Sequence, residues 1–415
     1  MTEETTEAIQ TVEAPKPPAN KWWLVAAINT ARVLVGLTLI VSGFVKAVDP
    51  HGTQFKLEDY AEAVGLSGVF PDWLLLLAAT MLSAVEFWMG LLLLLAIWRR
   101  VVSKCVLAFM AFMTAVTVWI YFANPVSDCG CFGDAIKLSN GETLLKNVVL
   151  LMLSALTAWR PTLMPRMIKK NMQLLILRYS VLFILGISAY CLYYLPILDF
   201  RPYHIGADIK AGMEIPKGAP QPEFETTFIL EKNGERREFT LDNYPDSTWT
   251  FIDSKTKVLK KGYEPPIHDF SIQLEALAPR QAASLQQGDM REEQWRGAYV
   301  GDDITDIVLN DTSYVFLLIS PHLEKADDSN FGNIDQLYEY AEKKGYAFLC
   351  LTASGEKGIR HWIDTTGAEY PFCHTDETTL KTMIRSNPGL MLLRRGVVVG
   401  KWSHNDIPSK ITTYK

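Results

Sequence analysis

Apolar residues are unevenly distributed along this chain: they gather into five long runs within the first 200 positions, and thereafter recur only in short stretches. The runs cover Trp22 to Val45, Trp73 to Trp98, Val101 to Phe122, Leu144 to Trp159 and Leu174 to Leu198. A helix crossing about 30 Å of hydrocarbon needs about 20 mostly apolar residues, because each residue rises about 1.5 Å and lipid leaves no backbone group a solvent partner. Five membrane helices are therefore predicted. The fourth is the shortest and carries Lys146 and Asn147 near its start, groups expected to reach toward the interface.

Beyond Leu198 the pattern changes. A Gly/Pro-containing stretch to Pro222 reads as a linker, and Phe224 to Leu230 with Arg237 to Leu241 flank Asn233-Gly234, a hairpin signal. Trp249 to Ile252 is a further strand candidate. From His268 strands and helices alternate. Continuous apolar strands are expected at Tyr314 to Ser320 and Tyr346 to Thr352, with helical spacing of Ile334, Leu337, Tyr338 and Ala341 between them. A helix near Ile359 to Ile363, a strand at Tyr370 to Cys373, a helix at Thr378 to Ile384 and strands at Leu390 to Leu393 and Val397 to Lys401 complete the series. The expected organisation is a tail (1–21), a four-helix membrane domain (22–160), a loop with a fifth helix (161–198), a linker with a β-rich extension (199–267), and an α/β domain (268–415).

Composition agrees with this partition. Of 415 residues 49% are hydrophobic and only 21% charged, so the mean hydropathy of +0.08 averages two unlike halves. A formal charge of −6 with no Lys/Arg-dense stripe gives no footprint for nucleic acid. Residues 1 to 20 are acidic and Pro-containing, so no cleavable signal is predicted and the tail is expected to be disordered. Basic residues set the orientation: Arg99, Arg100 and Lys104 follow the second helix, and Arg160, Arg166, Lys169 and Lys170 follow the fourth. Both links are then cytoplasmic. The N-terminus is expected inside, and the loops 46–72 and 123–143 outside with everything after Leu198, which for a bacterial inner membrane means the periplasm.

Two charges fall near mid-membrane, Arg32 and Glu86. A lone ion there costs several kcal/mol, so each needs a partner or water. Their helices run antiparallel, so they are expected at similar depth, either as an ion pair fixing the packing or as an intramembrane polar site for a head group, a quinone or protons.

Between the third and fourth helices the chain reads Asn124-Pro-Val-Ser-Asp-Cys-Gly-Cys-Phe-Gly-Asp134. Cys129 and Cys131 are separated by one glycine, which tolerates the bend of a small disulfide ring. Such a ring is strained and easily reduced, which suits exchange better than stapling. Asp128 and Asp134 are expected to raise the thiol pKa values. The pair admits thiol-disulfide exchange, a static disulfide, or two unreacted thiols at a turn; with no nearby His it is an incomplete zinc set, and no metal is expected. Cys191 and Cys373 are candidate accessory thiols: Cys191 at the outer end of the fifth helix could meet the loop pair, and Cys373 could pair with Cys350 or exchange with the loop. Buried packing is the simpler reading of each. Cys105 has no assigned role.

Arg32, the run Ser42-Gly43-Phe44-Val45-Lys46 followed by Asp49-Pro50, Glu86 with Gly90, and Asp128-Cys-Gly-Cys-Phe-Gly133 resemble the DoxX-like membrane proteins, specifically their MauE branch, over about residues 22 to 160. The resemblance implies a four-helix membrane bundle and a role in forming or transferring disulfides outside the cytoplasm, with a quinone as the candidate cofactor. The fifth helix and the soluble extension depart from that pattern. The order of elements after His268 resembles thioredoxin-like domains of membrane-anchored thiol-disulfide proteins, but the place of their Cys-x-x-Cys pair reads Ser320-Pro-His-Leu-Glu-Lys325. A non-catalytic docking domain is therefore expected, with Pro388 corresponding by resemblance to the cis proline beside a bound chain. The functional expectation is a membrane protein supporting extracytoplasmic thiol-disulfide exchange with a periplasmic partner. The alternative is a non-catalytic scaffold or assembly factor whose loop disulfide is static.

Overall fold

The computed structural model describes residues 22–126, 129–221, 223–232, 235–240, 243–245, 248–260, 262–276 and 294–411. The expected tail, Asp128 and the Asn233-Gly234 turn lie outside these residues. The chain divides into two units, up to Cys191 and from Leu192 onward.

The first unit contains α1 (Trp22–Val48), α2 (Pro50–Ala63), α3 (Asp72–Leu94), α4 (Arg99–Ala123), α5 (Asn140–Trp159) and α6 (Lys170–Tyr193). All but α2 are long and apolar enough to cross a membrane. The stretch 46–72, expected as a loop, contains α2. Its start follows from local chemistry: Asp49 caps the Gly52 N–H at 2.9 Å and Pro50 occupies the first helical position, where a missing N–H costs nothing. Hydropathy did not signal it because it is a polar helix. The fourth membrane helix begins earlier than expected, at Asn140, because Ser139 and Glu142 form a reciprocal capping box.

α1 and α3 pack closely through glycine. A Cβ at Gly43 would meet Phe87 N at 2.4 Å and Ser83 O at 2.7 Å, and one at Gly90 would meet Gly36 O at 2.7 Å. Small residues permit this approach, and backbone contact replaces the hydrophobic drive that lipid does not supply. The contacts also define an antiparallel register in which residue 43 lies opposite 83–87 and residue 36 opposite 90–94. Ile28, Val35 and Leu39 of α1 then share an apolar core with Met89, Leu92 and Leu93 of α3 and Val106 and Met110 of α4.

The second unit carries β1 (Glu223–Lys232), β2 (Glu235–Thr240) and β3 (Thr250–Lys260) as an antiparallel sheet of order β2-β1-β3. A six-stranded sheet follows, of order β11-β10-β7-β8-β9-β4, from β4 (Gln273–Ala276), β7 (Tyr314–Ser320), β8 (Ala347–Thr352), β9 (Phe372–His374), β10 (Gly389–Arg394) and β11 (Val397–Ser403). β7, β8 and β9 are parallel, and β4, β10 and β11 run antiparallel to their neighbours. A two-stranded ribbon comprises β5 (Gln294–Trp295) and β6 (Ala298–Tyr299). The helices are α7 (Ile209–Met213), α8 (Thr305–Asn310), α9 (Phe331–Lys344), α10 (Glu356–Thr366) and α11 (Glu377–Met383). Alternating side chains of the buried strands feed two cores. Leu317, Ile319, Leu349 and Leu351 enter one, and Phe316, Leu318, Phe348 and Cys350 the other. This is the α/β domain expected after His268. The stretch expected as a linker is instead bonded to β11 and the turn before it: Gly206 donates to Val398 O at 2.7 Å and Ile209 to Gly396 O at 3.0 Å.

Candidate functional site

The loop between α4 and α5 brings the sulfurs of Cys129 and Cys131 to 2.7 Å. Gly130 between them has φ +61° and Gly133 φ +52°, the left-handed conformation that glycine adopts without a Cβ penalty. Two helices hold the loop from beneath. The Tyr60 hydroxyl of α2 donates to Cys129 O at 2.7 Å, and the Ser42 hydroxyl of α1 lies 2.7 Å from Cys131 O. Lys146 of α5 sits over the Phe132 ring at 4.5 Å.

Beneath Cys131 lies a buried ion pair. Lys46 Nζ donates to both carboxylate oxygens of Glu86 at 2.7 Å and to Ser42 Oγ at 3.1 Å, and Ser42 Oγ is 2.8 Å from Glu86 Oε2. The single Ser42 proton goes either to Glu86 or to the Cys131 carbonyl. Lys46 and Glu86 are only 4% and 2% exposed. Such a pair is stable only when hydrogen bonds satisfy the remaining lone pairs and protons, which is what Ser42 supplies.

The expected pairing of Glu86 with Arg32 is thus corrected. In the observed register Glu86 lies opposite the 42–46 turns of α1, and Arg32 is ten residues from Ser42, about 15 Å along the axis. α1 extends past the end of α3 at Leu94, so counting from helix ends misaligned the two charges. Arg32 is buried, and its Nε and Nη1 have no hydrogen-bond partner. It does not line the cavities around the cysteines. The expectation for Asn147 is also corrected: it is buried and donates to Thr117 Oγ1 at 3.3 Å.

The two thiols differ in acidity. Cys129 is drawn down from 9.0 to about 6, first by the hydrogen bond from the Cys131 thiol, with help from the Cys131 N–H, the Thr143 hydroxyl and the Lys146 charge against the opposing effect of burial. Cys131 is pushed up, first by that same bond to Cys129 and then by burial and the negative charge on Cys129, with Lys146 and Lys46 opposing. The expected rise at both positions is therefore corrected for Cys129, because hydrogen-bond donors and Lys146 outweigh burial there.

A cavity of about 50 Å³ opens beside the pair, walled by Leu57, Leu82, Met113, Val116 and Ile120, with Lys46, Lys56, Tyr60, Cys129 and Cys131 at its polar side. Sequence reasoning assigned no role to Lys46, Ser42, Lys56, Tyr60 or Thr143. The available signal was the four-residue spacing of Ser42 and Lys46, which puts both on one face of α1.

The other candidate positions stand apart. Cys191 is buried in α6 and does not line the loop cavities. Cys373 is fully buried, and burial pushes its thiol up, so it is no surface thiol for exchange. Cys350 and Cys373 occupy adjacent strands, but one enters each core, on opposite faces of the sheet, so they do not pair. The Asn387–Pro388 peptide is cis. Asn387 donates to His322 O at 2.9 Å and accepts from Ser320 Oγ at 2.6 Å, and His322 Nε2 is 3.0 Å from Glu377 Oε1. Pro388 thus adjoins the Ser320–Lys325 segment that lacks cysteine.

Residues 23–160, containing α1 to α5 and the loop, match the family model of the methylamine utilisation protein MauE. The membrane helices are thus similar to those of a MauE-type membrane protein. Residues 224–261 match a domain of unknown function, DUF8463. No curated protein matches the chain significantly. A solution structure described as a candidate protein disulfide isomerase from Bacteroides thetaiotaomicron is similar at 12% identity over 33% of this chain and 76% of that one, with a TM-score of 0.22.

Proposed function

We propose that this multi-pass membrane protein exchanges disulfides with an extracytoplasmic protein through Cys129 and Cys131. The observation that carries the reading is the 2.7 Å approach of two sulfurs of unequal acidity, in a loop joining two membrane-crossing helices. In the oxidised protein a partner thiolate attacks Cys129, the S–S bond opens, and Cys131 leaves as a thiolate. A second partner thiolate then attacks the mixed disulfide, releasing Cys129 as its thiolate. The partner leaves oxidised, and the pair holds two electrons.

The lining of the cavity beside the pair suits the approach of a quinone head group in its chemistry: its wall is apolar and Lys56 stands at its polar side. A quinone bound there supplies a two-electron, two-proton acceptor for the pair. With five crossings the loop and the second unit would share one compartment, and the basic residues of the short links support the bacterial periplasm as that compartment. The second unit is read as a thioredoxin-like domain without its cysteine pair, docking the partner near Pro388.

Trapping tests the reading. In a Cys131→Ala variant the Cys129 thiolate attacks the disulfide of the oxidised partner, releasing one partner thiolate, and without Cys131 to displace the other partner sulfur the mixed disulfide accumulates and is recovered by mass spectrometry after acid quench and alkylation. If neither this variant nor Cys129→Ala accumulates a mixed disulfide, and the pair keeps one redox state in cells with and without added reductant, the loop is static and the exchange reading fails.

A further inference from the structure

The exchange reading leaves a difficulty at the buried end of the pair, because Cys131 must depart as an anion although it is the less acidic thiol. A leaving sulfur departs faster the better its negative charge is stabilised. The charges facing Cys131 come from every element around it. α1 contributes Lys46, α2 Lys56 and Tyr60, α3 Glu86, α5 Lys146, and the loop Lys137 and Cys129 itself; α4 offers only neutral groups such as Met113 and Thr117. Among these, Lys46 borders two of the three cavities that Cys131 lines, and it is the cation that α1 and α3 bury together beneath the loop. Ser42 links that cation to the loop, accepting from Lys46 Nζ at 3.1 Å and lying 2.7 Å from Cys131 O.

We propose that Lys46, held by Glu86 and Ser42, is the positioning residue that stabilises the Cys131 thiolate as the Cys129–Cys131 disulfide opens. This rests on the exchange reading and adds a residue to it. The step balances without a further reactant: the incoming thiolate forms one S–S bond, the Cys129–Cys131 bond breaks, and its electron pair stays on Cys131, which lines two cavities with Lys46. Glu86 prevents Lys46 from withdrawing toward water. Without Glu86 an unpaired ammonium would be buried, and without Lys46 an unpaired carboxylate would face the departing sulfur.

The test measures the rate at which dithiothreitol opens the loop disulfide in purified full-length protein, the pH dependence of that rate, and the equilibrium of the pair with glutathione. Because Lys46→Met alone strands Glu86, the informative variant is Lys46→Met/Glu86→Gln, which removes both charges and keeps similar volumes. Its opening rate is expected to fall at least tenfold. Its equilibrium is expected to shift at least tenfold toward disulfide, equivalent to about 30 mV more negative. Lys46→Arg retains the charge and is expected to stay within threefold of wild type. The proposal is overturned if the wild-type pair exchanges and the folded double variant matches it in rate, pH profile and equilibrium. It is equally overturned if Lys46→Arg is as impaired as the double variant, since packing rather than charge would then be responsible. A wild-type pair that does not exchange at all defeats the exchange reading itself.

Discussion

The acidity of Cys129 gives a quantitative prediction. Its thiol falls from 9.0 to about 6, with the Cys131 thiol as the largest cause. At pH 7 a group titrating near 6 is about 90% thiolate and one titrating near 9 about 1%, roughly a 90-fold difference. A less basic thiolate is also a weaker nucleophile; with a Brønsted slope of about 0.4–0.5, three units cost about 16–30-fold in intrinsic reactivity. The net advantage at pH 7 is therefore only about 3–6-fold, a margin that many other effects could mimic. At pH 5 the thiolate fractions are about 9% and 0.01%, and the same correction leaves about 30–60-fold. Low pH is where the prediction is decisive. The assay is iodoacetamide alkylation of the fully reduced protein between pH 4.5 and 9.5, with Cys129 and Cys131 read out separately by peptide mass spectrometry. Cys129 is expected to reach half its plateau rate near pH 6 and to outpace Cys131 at pH 7 and below. Replacing Cys131 by Ala removes the thiol donor, so the half-maximal pH is expected to move upward toward 9. A Cys129 profile with its midpoint near 9 in the reduced wild type, or no movement in Cys131→Ala, would refute the argument.

Other consequences follow from the packing. Glu86→Ala leaves the Lys46 ammonium buried and unpaired, and is expected to cost about 3–5 kcal/mol, whereas Lys46→Met/Glu86→Leu should lie much closer to wild type; denaturant titration in detergent by circular dichroism measures both. Gly43→Ala places a Cβ 2.4 Å from Phe87 N, so α1 and α3 must separate; a loss of about 1–3 kcal/mol or more is expected, read as a lower thermal midpoint, while Gly186→Ala, with no neighbour within 4 Å, should change little. In the second unit burial and Arg201 draw Lys401 down to about 7 although it bonds Asp199 at 2.7 Å. The unfolded chain therefore binds more protons between about pH 7 and 10.5, and stability should rise with pH across that window. For Asp199 burial works upward, but Arg201 and Lys401 outweigh it and hold its carboxyl below the ordinary 3.8, so its contribution is lost as acid carries the pH below that value. Amide exchange at β10 and β11 measured against pH, with Lys401→Met as the control, tests the first of these. A rise that persists in Lys401→Met would assign it elsewhere.

Features that depend on local chemistry were legible along the chain. Apolar runs long enough for lipid predict α1, α3, α4, α5 and α6, since neither length nor backbone satisfaction depends on which helix lies alongside. Buried strands such as Tyr314 to Ser320 were legible for the same reason, and the Cys-Gly-Cys spacing marked the loop. α2 was signalled too, by Asp49-Pro50, but in a language of caps that hydropathy does not hear. Tertiary structure alone decided which charges meet. Glu86 faces Lys46 and not Arg32 because Gly36, Gly43 and Gly90 set how far α3 lies along α1, a register read from backbone contact and not from helix ends. It also decided that Cys350 and Cys373, on neighbouring strands, face opposite cores, since pairing places residue 350 beside 372 and sends residue 373 to the other side. The acidity of Cys129 belongs to the same class: Cys131, Thr143 and Lys146 act on its sulfur through distance and hydrogen-bond direction, which the order of residues does not contain.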